Sequence, residues 1–355
     1  MTRVHVVVPE GIDDPARPSG GNVYDRRICR GLAERGWEVH EHGVPGAWPR
    51  ADATGHAALR RAVRRIPDGA VVLLDGLVAS AAPEALVPEA HRLRQVALVH
   101  MPLGHRPPAG ESGAVRARER DVLEAATAVV TTSGWARRRL DELYALPPGR
   151  VHVAEPGVDT AALAPGSPAG DALLCVAAVI PDKGHDVLLE ALATVTELSW
   201  HCTCLGSVDR DPVFAGGVRR RARDLGLDGR VRFPGPRTGP ELHRGYASAD
   251  LLVLASHAET YGMVVTEALA RGVPVLATDV GGVAEALGEG RDGTRPGMLV
   301  APGDPAALGA ALRAWLRDAG LRERLRRAAR ERRASLRPWP VTASVLAGLL
   351  AGAQR

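Results

Sequence analysis

Short apolar runs alternate with segments of helical spacing along nearly the whole chain, and this alternation restricts the fold more than any other feature of the sequence. Residues 4–9 form a β-branched run that ends in a loop rich in Gly, Asp and Pro, after which Ile28, Leu32 and Trp37 follow a helical pattern. Comparable runs occur at 71–74, 96–100, 128–131 and 151–154. Apolar strands separated by helices imply a parallel sheet covered on both faces, because a crossover helix is what brings the next strand back in the same direction. Pro165, Gly166, Pro168 and Gly170 then mark a linker, and a second series follows with runs at 173–178, 200–206, 231–234, 250–255 and 273–277. A chain of 355 residues is long enough for two such domains, each with its own core. The expected architecture is α/β: a doubly wound domain over 1–163, a second over 164–335, and a C-terminal helix over 336–355 packing back on the first.

Ligands of doubly wound sheets bind beyond the carboxyl ends of the strands, so the loops after strands are where chemistry is expected. The richest of these is Ser256-His257-Ala258-Glu259-Thr260-Tyr261-Gly262-Met263-Val264-Val265-Thr266-Glu267, with Arg271 and Pro274 beyond it. Glu259 falls in the loop after a strand and Glu267 inside the following helix, whose leading amides at Gly262, Met263 and Val264 lack intrahelical partners. Carboxylates on either side of such amides suit a ligand that carries both hydroxyls and phosphates. Taken alone, two glutamates eight residues apart are also common on solvated surfaces.

Composition sharpens the choice of residues. Lys183 is the only lysine in a chain whose other basic residues are Arg, and Asn22 is the only asparagine. A residue type that the coding bias has nearly removed is more informative where it survives. The net charge of +4 and pI near 9.1 favour an anionic ligand but fall short of a nucleic-acid footprint, and the Arg137–Arg139 and Arg219–Arg221 clusters read as solvated helix faces. Cys29, Cys175, Cys202 and Cys204 include a C-x-C without a second pair at zinc-finger spacing, so they read as reduced core thiols. Asp209-Arg210-Asp211 is a D-x-D triplet of the kind that holds divalent metals, but such triplets arise often by chance. The amino terminus lacks a signal-peptide layout and no apolar run is long enough to span a bilayer, from which a cytoplasmic location is expected.

The segment from 249 to 275 resembles the E-x7-E region of family-4 retaining glycosyltransferases, which have the GT-B fold of two Rossmann-like domains with a cleft between them. Further pieces resemble the same family in the same order: Ser19-Gly20-Gly21-Asn22-Val23-Tyr24 its N-terminal glycine loop, Glu155-Pro156-Gly157-Val158-Asp159 the close of its first domain, Pro181-Asp182-Lys183-Gly184 its lysine loop, and the stretch from Pro274 to Gly282 the unit after its second glutamate. The resemblance implies transfer of a sugar from a nucleotide-diphosphate sugar to a hydroxyl acceptor with retention of configuration and without metal or other cofactor. It implies that Glu259 contacts hydroxyls of the transferred sugar, Glu267 the ribose, amides near Tyr261, Gly262, Met263 and Val264 the sugar and phosphates, and His100 the sugar near the reacting centre. Lys183 would counter the pyrophosphate, a role that also follows from the charge building on the leaving diphosphate. Gly20 and Gly21, lacking Cβ, would let the backbone approach a phosphate.

Two departures temper this picture. Ala177 and Ala178 stand where many relatives carry an Arg ahead of the lysine, leaving Arg237 or Arg106 as substitutes from elsewhere. His100 is equally readable as a histidine held by its own neighbours. The alternatives are a GT-B nucleotide-sugar epimerase or a non-catalytic sugar-nucleotide-binding protein. A nicotinamide dehydrogenase is disfavoured by the absence of G-x-G-x-x-G at the first loop. The sequence leaves the acceptor open among secondary metabolites, sugars and lipids, calls for no nucleic-acid partner, and makes peripheral membrane contact the less favoured option.

Overall fold

A computed structural model describes residues 2–108, 110–290 and 292–354. The chain divides into two compact units, one of Met1–Asp13, Ser19–Gly157 and Pro338–Arg355, the other of Asp14–Pro18 and Val158–Arg337.

The first unit carries a six-stranded parallel sheet of β1 (Arg3–Pro9), β2 (Glu38–Val44), β3 (Val71–Asp75), β4 (Arg94–Val99), β5 (Ala128–Thr131) and β6 (Val151–Val153), in the order β2-β1-β3-β4-β5-β6. The second carries β7 (Ala172–Val176), β8 (His201–Leu205), β9 (Val231–Gly235), β10 (Leu251–Leu254), β11 (Val275–Thr278) and β12 (Gly297–Val300), in the order β12-β11-β10-β7-β8-β9, again parallel. Interior strands β3, β5, β10 and β11 are buried at every residue. That is why they read as unbroken apolar runs. Each sheet has one point where the chain, having built outward on one side, returns to build on the other: between β1 and β3, and between β7 and β10. Loops leaving adjacent strands at such a point diverge and open a crevice for a ligand.

Two edge strands had no signature in the runs above. β2, with the sequence Glu-Val-His-Glu-His-Gly-Val, is half exposed, and β12 is short and partly exposed along its length. An edge strand covered on fewer sides needs fewer apolar residues. Trp37 likewise falls beyond the helix Gly20–Ala33, which ends at the Glu34 cap, just before β2.

The last helix, Trp339–Ala353, packs on the helix Gly20–Ala33 within the first unit. Gly31 permits the approach: a Cβ there would stand 2.5 Å from the Cβ of Ala343. Tyr24 meets Trp339 edge to face at 5.7 Å, and Arg35 donates to Ser344 Oγ at 2.7 Å.

Candidate functional site

In the second unit the chemistry gathers where the topology predicts a crevice. The loop after β7 carries Lys183 in a short 3-10 turn, Pro181–Lys183, and the loop after β10 carries Glu259. Lys183 Nζ donates to Glu259 Oε1 at 2.6 Å, and Ser256 Oγ donates to the same oxygen at 3.0 Å. The side chains are 24% and 13% exposed, so the pair is sheltered yet reachable from solvent. The two loops are stitched together by the His257 amide, which donates to the Asp182 carbonyl at 2.8 Å. A third segment closes on Glu259 from the end of β11. Gly281, at φ 59°, passes so close that a Cβ there would lie 1.5 Å from the Glu259 carbonyl oxygen. Only glycine meets both demands, a left-handed backbone and no side chain.

Glu267 lies on the helix Met263–Leu269 and accepts a 2.7 Å hydrogen bond from the Tyr246 hydroxyl. Burial and then the neighbouring Glu267 charge raise the Tyr246 phenol well above its usual range, so the hydroxyl keeps its proton and acts as donor. Arg271 stacks over the Tyr246 ring at 4.6 Å and donates to the Glu267 carbonyl at 2.7 Å, fixing ring and helix together. The helix begins at Gly262, φ 90°, with no side-chain cap. It has only seven residues, so any anion there would be met by the local amides of the turn more than by a long helix dipole.

The D-x-D triplet serves a different purpose. Asp211 caps the helix Pro212–Asp224 by accepting from the Phe214 amide at 2.9 Å, and the Asp209 amide donates to Ser207 Oγ. Ala177 and Ala178 directly follow β7 on the way to Lys183, and Arg237, in the same unit, lies 3.8 Å from Glu241.

The first unit holds its own group at the switch between β1 and β3. Gly20 and Gly21 open the helix after β1, whose cap is Ser19 Oγ accepting from the Asn22 amide. The Gly21 backbone lies against the ring of His100, the residue following β4. His100 Nε2 is 2.8 Å from Asp25 Oδ1 and 3.6 Å from Asp75 Oδ2, and the Tyr24 ring stands edge-on to the imidazole at 5.2 Å. Asp75 also accepts from the amides of Leu77 and Val78. Burial by itself would lower the His100 pKa, but the charge of Asp25, its hydrogen bond and Asp75 outweigh that and raise it to about 9. Asp75 is raised to about 7 by burial first and then by Asp25, against the pull of His100. At neutral pH the histidine is therefore an imidazolium paired with the buried Asp25, with Asp75 only partly ionised beside it.

The sequence brought forward Lys183, Glu259, Glu267, His100 and the two glycine-bearing loops. It did not bring forward Asp25, Asp75 or Tyr246, which hold His100 and Glu267 in place. Asp75 carried a usable signal, a carboxylate closing a fully apolar strand. Asp25 and Tyr246 sit mid-helix and at a helix end among ordinary neighbours and carried none.

Residues 41–162 match the family described as Glycosyltransferase Family 4, and residues 168–332 match Glycosyl transferases group 1. The D-inositol 3-phosphate glycosyltransferase of Acidothermus cellulolyticus is 30% identical over 371 aligned positions, gaps included, in an alignment that covers 87% of this chain and 80% of that protein. The chain belongs to the family 4 glycosyltransferases. The D-inositol 3-phosphate glycosyltransferase of Jonesia denitrificans is 33% identical to this family 4 chain over 258 aligned positions, in an alignment that covers 66% of this chain and 60% of the relative. The chain thus spans about 60% of the length of several of the curated relatives it matches. Among solved structures, sucrose-phosphate synthase from Thermosynechococcus elongatus aligns with a TM-score of 0.80 at 19% identity over 99% of both chains. Anabaena HepE in complex with UDP-glucose aligns with a TM-score of 0.78 at 16% identity, over 99% of this chain and 100% of that one. These likenesses establish the GT-B fold for this family 4 member. Among the described residues no helix is long and apolar enough to cross a membrane.

Proposed function

We propose that the chain is a retaining glycosyltransferase that moves a sugar from a nucleotide-diphosphate sugar to a hydroxyl acceptor without a metal. The observation that carries this reading is the Lys183–Glu259 pair, a cation and a carboxylate presented together on two loops at the sheet's switch point. Glu259 accepts hydrogen bonds from hydroxyls of the transferred sugar. Lys183 meets the negative charge that grows on the diphosphate as the glycosidic bond breaks, stabilising the transition state more than the ground state. Glu267, steadied by Tyr246, accepts from the ribose, and amides from Tyr261 to Val264 face the phosphates. In the first unit, Gly20 and Gly21 are assigned to donor binding and His100 to orienting the sugar. The acceptor hydroxyl attacks from the face the diphosphate leaves, and no carboxylate is assigned as a covalent nucleophile. Support for a nucleotide-sugar donor comes from the UDP-glucose complex of HepE, and the names of the relatives make D-inositol 3-phosphate the first acceptor to try.

A thermal-shift panel of UDP-, GDP-, ADP- and dTDP-sugars tests the donor, with Lys183→Ala and Glu267→Ala beside the parent. One nucleotide class should raise the Tm of the parent and do so less in both variants. No shift with any donor in a folded protein would overturn the reading. Ala178, where the family resemblance implies an Arg in many members, favours the non-catalytic binding protein as a second reading. Donor binding without release of nucleotide across a panel of acceptors would select it.

A further inference from the structure

Behind the lysine loop lies a group of side chains that glycosyl transfer does not use. β7 and β8 are neighbours with Cys175 and Cys204 directly paired in register, so both thiols project to the same side of the sheet. On that side begins the helix His185–Ala193, and its first residue, His185, places Nε2 3.8 Å from the Cys175 sulfur. The two sulfurs and an imidazole nitrogen all lie within 4.8 Å of one another, and each residue is only 1% exposed. Cys202, two residues earlier on the same face of β8, is equally buried. The other imidazole nitrogen of His185, Nδ1, is buried with no hydrogen-bond partner among the described residues.

A tetrahedral zinc with bonds of about 2.3 Å to sulfur and 2.0 Å to nitrogen sets sulfurs roughly 3.8 Å apart and sulfur from nitrogen roughly 3.5 Å apart. The observed spacings come within about an ångström of that arrangement, so rotamer adjustments rather than backbone movement would complete it. Charge favours the same ion. Two thiolates and a neutral imidazole around a dication sum to zero, which removes the penalty of burying charge. Cys29, buried in the first unit, is not part of this group.

We propose that Cys175, Cys204 and His185 bind one thiophilic dication, with zinc as the natural probe. Binding breaks two S–H bonds, releases two protons to solvent, and forms two metal–sulfur bonds and one metal–nitrogen bond through His185 Nε2. The site ties β7, β8 and the start of the helix that follows Lys183 and Gly184, so the ion would brace the lysine loop from behind without touching a substrate.

The test is metal analysis of the full chain purified from zinc-supplemented cells without an affinity tag that binds metal, alongside protein produced in cobalt-supplemented medium. About one zinc per chain is expected, together with the visible bands of tetrahedral, thiolate-ligated cobalt. Both should fall about tenfold or more in Cys204→Ser and His185→Gln and remain in Cys29→Ser. If those variants fail to fold, X-ray absorption on the cobalt form of the parent decides, with two or three sulfurs and one nitrogen expected around the metal. A folded parent without metal, oxygen ligation alone, or cobalt bands of parental strength in Cys204→Ser would each overturn the proposal.

Discussion

The two units hold ionised groups in opposite ways. In the second, Lys183 and Glu259 come from loops, are partly exposed, and satisfy each other in a contact that a ligand can replace. In the first, His100 is gripped by Asp25 and Asp75, both nearly inaccessible, and the imidazolium has been matched to protein carboxylates. The same doubly wound topology thus supports a pair poised to change partners and a cluster that sets charge and orientation from inside. Under the proposed transfer, a departing diphosphate calls for the first kind of group, whereas a fixed cation beside a glycine loop calls for the second.

The comparison can be broken at several points. Lys183→Ala should produce the largest loss, lowering the transfer rate by about a hundredfold or more with the fold retained, as measured by nucleotide release with saturating donor. A loss of only a few fold would make Lys183 a partner of Glu259 rather than a catalytic group.

The first unit's cluster should reveal itself through pH. His100 is raised from 6.5 to about 9, so its contribution is fully present below pH 6.5 and lost as pH rises through about 9. The contribution amounts to about 3 kcal/mol. Asp75, raised from 3.8 to about 7, acts in the same direction, its cost accruing as pH climbs between those values. Chemical denaturation followed from pH 6 to 9.5 should show this decline, and Asp25→Asn should move the His100 NMR titration downward. An unchanged titration in that variant would show that Asp25 does not hold the charge.

Smaller effects distinguish shape from charge. Gly281→Ala forces a Cβ onto the Glu259 carbonyl and should lower the stability of the second unit by about 2 kcal/mol, read as a drop in its unfolding midpoint. Tyr246→Phe removes one hydrogen bond to Glu267, worth about 1 kcal/mol, and should weaken nucleotide binding about fivefold with the rate at saturation unchanged. A fall in that rate instead would make Tyr246 part of the reacting centre.

What was legible in the sequence follows from these same physical differences. Interior strands were visible because burial on both faces demands continuous apolar residues. β2 and β12 were not, since an edge strand carries no such demand. Glu259, Glu267 and Arg271 lie within one short stretch whose pattern could be read as a unit. His100 was noticed from its place at a strand end, but the carboxylates that govern it come from residues 25 and 75, and only folding brings them together. The C-x-C pair showed the same limit: Cys202 and Cys204 were apparent, whereas their conjunction with Cys175 and His185 depends on strand register and a helix start.

The seam between the helices Gly20–Ala33 and Trp339–Ala353 bears on how this protein is made. The stripe formed by Tyr24 and Gly31 leaves the ribosome early, while the residues that cover it, Trp339 and Ala343, emerge about 300 positions later. At ordinary elongation speeds that interval is on the order of tens of seconds. Throughout it the nascent first unit presents an uncovered apolar helix face, so its maturation is timed by the synthesis of the intervening second unit rather than by its own sequence.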